Sequence, residues 1–163
     1  MELQSDNGMR NPLWDYSVAT YRLRGVAQFC LGLQDDFGVD VNLLMYAAWL
    51  AHMERCLSRA HLNELDTLVV DWRENVVKPL RLLRRQLHGR ASAEGIRNEI
   101  KVLELRAEQQ QQDMMYAFYQ RAVPLQREPE PLSENLAIVA RSSSPEQGGW
   151  AVPLARLGTI LSP

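Results

Sequence analysis

At 163 residues, with 46% hydrophobic and 23% charged side chains, the chain has the length and composition of one globular domain, which excludes disordered and fibrous classes. Its formal net charge of −2 and pI near 5.9 argue against general affinity for nucleic acid. The most apolar run, VNLLMYAAWLAHM, is interrupted by Asn42 and His52 and falls short of the roughly 20 residues that cross hydrocarbon, so it is expected as a buried helix.

In chain order, Asn11 followed by Pro12 predicts a helix start, with asparagine capping free N–H groups and proline at the first helical position. That helix runs to about Tyr21 and breaks at Gly25. A second helix carries Val26, Phe29, Cys30 and Leu33 on one apolar stripe and closes at Gly38. Asp40 is placed to cap the next helix, and Val39 and Leu44 stand at the positions of a hydrophobic staple. The helix from Val41 to about Leu57 is apolar on most of its circumference and is expected at the centre of the fold.

A third helix begins near Leu62 and repeats apolar residues in steps of three and four through Leu80, Leu83 and Leu87, all expected to face inward. Pro79 removes the bond to the carbonyl of Asn75, which predicts a kink in a helix that continues in phase. Ser92 is expected to cap a further helix with a heptad seam of Ile96, Ile100, Leu103, Ala107, Gln110, Met114 and Ala117. After Ala122 the stretch PLQREPEP cannot continue a helix. The expected fold is all-α: a compact bundle of four to five helices with a kinked third helix, a helical domain at 1–122, and a proline-rich linker and flexible tail with short amphipathic segments at 123–163.

Charge is unevenly spread. Residues 1–54 carry seven acidic and three basic side chains, whereas 73–90 carry six basic and one acidic. Lys78, Arg81, Arg85 and His88, with Arg84 beside them, form a basic helix face, either a solvated face balanced by Glu94, Glu99 and Glu104 or a partner contact. Trp14, Trp49 and Trp72 sit on apolar stripes, as core residues or as the lining of a ligand pocket. Trp150 follows two glycines in the expected tail, where an aromatic suggests docking onto this domain or a partner.

Two patterns invite a metal. DDFGVD resembles the aspartate-rich signature that holds magnesium and diphosphate in helical isoprenoid synthases, with Asp35 and Asp36 as ligands. The third aspartate, however, lies across Gly38 and cannot share their helical face. His52 and Cys56 have the i, i+4 spacing of a zinc pair, with His61 beyond, but no second cysteine pair or HExxH accompanies them. No cofactor or metal is therefore expected. Cys30 and Cys56 are expected as free thiols.

The segments LWDYSVATY, GVAQFCLGLQDDFGVDVNLLMYAAWLA and WRENVVKPLRLLRRQL, followed by a helix of the IKVLELRAE type, resemble an uncharacterised family of small proteobacterial proteins, a domain of unknown function, over roughly residues 12–120. The resemblance implies one helical domain with a divergent tail and lends no activity. With no complete catalytic set and no secretory signal pattern in the sequence, the expected function is that of a non-enzymatic cytoplasmic adaptor binding another protein through the basic face and the tail. The alternative is a small helical enzyme or carrier for an anionic or isoprenoid-like ligand held between the central and kinked helices.

Overall fold

Asn11 opens the first helix as its sequence predicts. In the computed structural model, which describes residues 11–145 and 148–162, its side chain accepts the N–H groups of Leu13 and Trp14 at 3.0 and 3.2 Å, and α1 runs Pro12–Tyr21. Helix α2 spans Val26–Phe37 and ends at Gly38, whose φ of 67° is the left-handed conformation that glycine adopts without a side-chain clash. Asp40 then caps α3, Val41–His52, accepting from Asn42 and Leu43 at 2.7 and 3.3 Å. Every residue of α3 from Asn42 to Leu50 is buried, which makes it the central helix.

That helix ends earlier than its apolar pattern suggests. Glu54 takes a left-handed conformation, φ 54°, and the chain turns outward to meet the segment beyond the sixth helix. There the N–H of Cys56 donates to Gln126 at 3.0 Å and the N–H of Glu128 donates to Glu54 at 3.3 Å. Ser58 caps α4, Arg59–Trp72, with its hydroxyl accepting from His61.

Helix α4 passes into a π-helical turn, Arg73–Val77, and then α5, Lys78–Gln86, with right-handed helical dihedrals at the joins. Where a kink was expected at Pro79, the structure has this π turn: proline has no N–H for the carbonyl four residues back, and a widened turn just before it absorbs the misfit. A 3₁₀ turn, Ala91–Ala93, leads into α6, Glu94–Arg121. Ser92 lies within that turn and makes no side-chain cap, so the expected capping role is corrected.

Helices α7, Leu132–Ser143, and α8, Ala151–Leu161, complete the fold, giving seven helical rods among the described residues when 59–86 is counted as one. The class is all-α, with more helices than the four to five expected. The difference lies in the tail. Leu136, Val139, Ala140, Leu154 and Leu157 are buried in the same core as α2 and α3, so the flexible tail expected over 123–163 is corrected to a helical pair packed on the body. Asn135 fixes the pair: it accepts from the Leu57 N–H at 2.8 Å and donates to the carbonyls of Ala47 and Arg55 at 3.2 and 2.8 Å. Such a fully used buried amide holds three segments in one register.

Candidate functional site

The antiparallel hairpin of α5 and α6 has two unlike sides. On the first lie most of the basic residues singled out in the sequence, and each has an acidic partner. Arg81 reaches Glu104 at 3.2 Å and Glu108 at 2.9 Å, and Arg84 pairs with Glu104 through both oxygens. Arg85 crosses to Asp35 on α2 at 2.6 Å, and Lys78 pairs with Glu74 one turn away at 2.7 Å. Hydrogen bonding from Arg85 holds the Asp35 carboxyl below its ordinary pKa, while burial raises that of Glu108. His88 falls in the exposed turn after α5 and so stands off the helix face where it was expected.

The basic face is therefore a seam that binds α5 to α6 and α2. Glu104, expected with Glu94 and Glu99 among the acids that balance this face, is the one that takes two of its arginines, and only its burial inside the apolar repeat of α6 was not expected. The short 87–93 connection was the available signal. It makes α5 and α6 antiparallel neighbours, and then Arg81 and Arg84 must face the acids of α6.

On the second side, Leu80, Leu83 and Leu87 were expected to face inward. Only partial burial is found: Leu80 and Leu87 are half-buried, and Leu83 is 44% exposed. On α6, Ile100 and Ala107 are buried, but Ile96 and Leu103 are 59% and 50% exposed. By helical periodicity both stripes lie on the side of the hairpin opposite the ion-pair seam. Among the described residues no further helix closes over them. Val102 and Leu105, on the outer surface of α6, are also exposed.

Trp14, Trp49 and Trp72, expected as core residues or as a pocket lining, line neither of the two clefts described below. Trp49 is buried on α3 with its ring edge-on to Tyr116 and Tyr119, at 5.9 and 4.9 Å between centroids. Trp72 donates Nε1–H to the Ala107 carbonyl at 2.9 Å, and half-buried Trp14 lines neither of the clefts described next. Trp150 does line one: it docks on this chain, half-buried, donating to the Ser144 carbonyl at 3.2 Å. Its cleft of about 1000 Å³ lies between α1, α3, α7 and α8, with Tyr16, His52, Leu136 and Gly158 on its walls.

A smaller cleft of about 210 Å³ lies between the start of α3 and the kinked helix, where the alternative reading had placed a ligand. Arg73, Lys78 and Arg81 face Asp40, Asp66 and Glu74 there. These charges largely neutralise one another. Arg73 reaches Asp66 at 2.6 Å and Asp40 at 3.2 Å; burial works against its charge, but the two carboxylates outweigh it and hold its pKa above the ordinary range.

The metal patterns are dispersed. Asp35 is engaged by Arg85, and Asp36 is exposed. His61 is buried on α4, its Nε2 2.7 Å from the Tyr46 hydroxyl, while His52 on α3 lies with its ring tilted against that of Tyr16, 5.3 Å between centroids, so the two histidines serve different contacts. Among the described residues no three His, Cys, Asp or Glu side chains are grouped to hold an ion. Burial pushes the Cys30 thiol up to about 12 and also raises Cys56, so neither thiol is activated. No described helix is long and apolar enough to cross a membrane.

Over residues 12–115 the chain matches the family described as "Protein of unknown function (DUF2390)". No curated protein matches it, and no solved structure does.

Proposed function

The chain belongs to that family of unknown function, and from its geometry we propose that it is a non-enzymatic cytoplasmic adaptor that binds another protein through the apolar side of the α5–α6 hairpin. One observation carries this reading: Leu83, Ile96 and Leu103 are 44 to 59% exposed, and helical spacing sets them on one side of two neighbouring helices with half-buried Leu80 and Leu87. An apolar layer of this kind is stable when a helical surface of matching character covers it. The basic side chains first assigned to the contact have a different role. Arg81, Arg84 and Arg85 are committed to Glu104, Glu108 and Asp35, and they hold the hairpin in place. The C-terminal segment is likewise committed to the core.

A photo-crosslinking residue in place of Leu103 tests this in living cells. Discrete protein adducts are expected at position 103 and none at exposed Arg22 at the end of α1. Absence of any adduct at 103 above that control overturns the reading.

A further inference from the structure

We propose that the partner on this hairpin is a second copy of the same chain, with α6 of one copy packed antiparallel on α6 of the other about a two-fold axis between Val102 and Leu103. The inference rests on the reading of the hairpin as a protein contact and names what fills it.

The argument is one of self-complementarity. Val102 and Leu103 are 49% and 50% exposed at the middle of the hairpin segment of α6. Glu99 and Arg106 flank them, one before and one after, two helical turns apart and therefore on the same side of the rod, separated by about 10.5 Å along its axis. Both are exposed, and neither has an ion-pair partner among the described residues, whereas Arg81, Arg84 and Arg85 all have one.

In a symmetric antiparallel pair each residue meets the one equally far on the other side of the axis. The register that sets Val102 against Leu103 of the other copy also sets Glu99 against Arg106, twice. An apolar centre with a reversing charge pair at each end is what an isologous contact requires. A heterologous partner would have to supply a matching acid and base of its own. Ile96 and Leu83 border the same strip and extend the contact towards α5, so two hairpins come together as a four-helix layer.

Sedimentation velocity of the full chain tests this over a range of concentrations. The wild type should be a dimer, and Leu103→Glu a monomer with an unchanged helical spectrum. Glu99→Arg alone, and Arg106→Glu alone, set like charges against each other and should each weaken the dimer at least about tenfold, equivalent to about 1.4 kcal/mol. The double variant Glu99→Arg with Arg106→Glu restores opposite charges in reversed order and should recover dimerisation.

A wild type that stays monomeric at its highest soluble concentration overturns the inference. So does a dimer that Leu103→Glu leaves intact, or one whose single reversals are not rescued by the double. The crosslinking result separates this from the broader reading. A monomer whose position 103 still captures a different protein removes the second copy and keeps the adaptor, whereas a monomer with no adduct removes both.

Discussion

Asp40 shows how much one side chain carries beyond what its neighbours in sequence reveal. Its role as cap of α3 follows from its place after Gly38, and the structure bears that out. The rest comes from far along the chain. Oδ2 also accepts from Arg73 at 3.2 Å and from Gln111 at 2.9 Å, residues 33 and 71 positions away. Gln111 is fully buried and its Oε1 has no partner, so losing the bond from Nε2 would leave the whole amide unsatisfied. A lost cap alone costs about 1 kcal/mol. Leaving the largely buried Arg73 one carboxylate short and Gln111 unpaired adds roughly 1 to 3 kcal/mol. Asp40→Ala should therefore destabilise by about 3 kcal/mol in urea unfolding, and Asp40→Asn, which keeps a capping oxygen, by clearly less. Equal losses of about 1 kcal/mol for both would mean that Arg73 and Gln111 draw no stability from this carboxylate.

Helix α6 shows where periodicity misleads at the scale of an element. The expected seam ran through Ile96, Ile100, Leu103, Ala107, Gln110, Met114 and Ala117, whereas the buried residues are Ile100, Glu104, Ala107, Gln111, Gln112, Met115 and Phe118. Ile100 and Ala107 belong to both. The phase differs because polar residues whose partners lie elsewhere take the inside: Glu104 receives two arginines, Gln111 donates to Asp40, and Gln112 donates to Asn42 at 3.0 Å. A pattern built on apolarity assigns such residues to solvent. By contrast α1, α2 and a disturbed helical turn just before Pro79 were legible, since a cap, a glycine or a proline acts through its own backbone. Glu104→Ala should cost about 3 kcal/mol, because it strips the carboxylate from Arg81 and Arg84 at a site where the acid is only 8% exposed. Replacing all three charges by apolar side chains of similar size should recover most of that loss in the same chemical unfolding measurement. If the single variant costs under about 1 kcal/mol, the seam is only a surface feature.

At the scale of the whole molecule, the proline-rich break after Ala122 looked like the edge of the domain and is instead a turn within it. PLQREPEP stops α6 as its composition requires. Its backbone is then captured: Arg55 donates to the Leu125 carbonyl at 3.0 Å, and Gln126 and Glu128 bond to the segment that follows α3. Nothing in the local sequence reports this, because the partners lie some 70 residues earlier. From there α7 lies along the central helix, with Leu136 and Val139 fully buried, and α8 brings Leu154 and Leu157 against α2. Truncating one such leucine typically costs about 2 to 5 kcal/mol, and a domain has only about 5 to 15 kcal/mol in all. Removing residues 132–163 takes away several of these side chains together and exposes the apolar length of α3. A chain ending at Pro131 should therefore show no cooperative thermal transition by circular dichroism and should bind an apolar dye that the full chain excludes from its core. A truncated chain that melts cooperatively near the full-length temperature would mean that α7 and α8 are an appendage to a core closed without them.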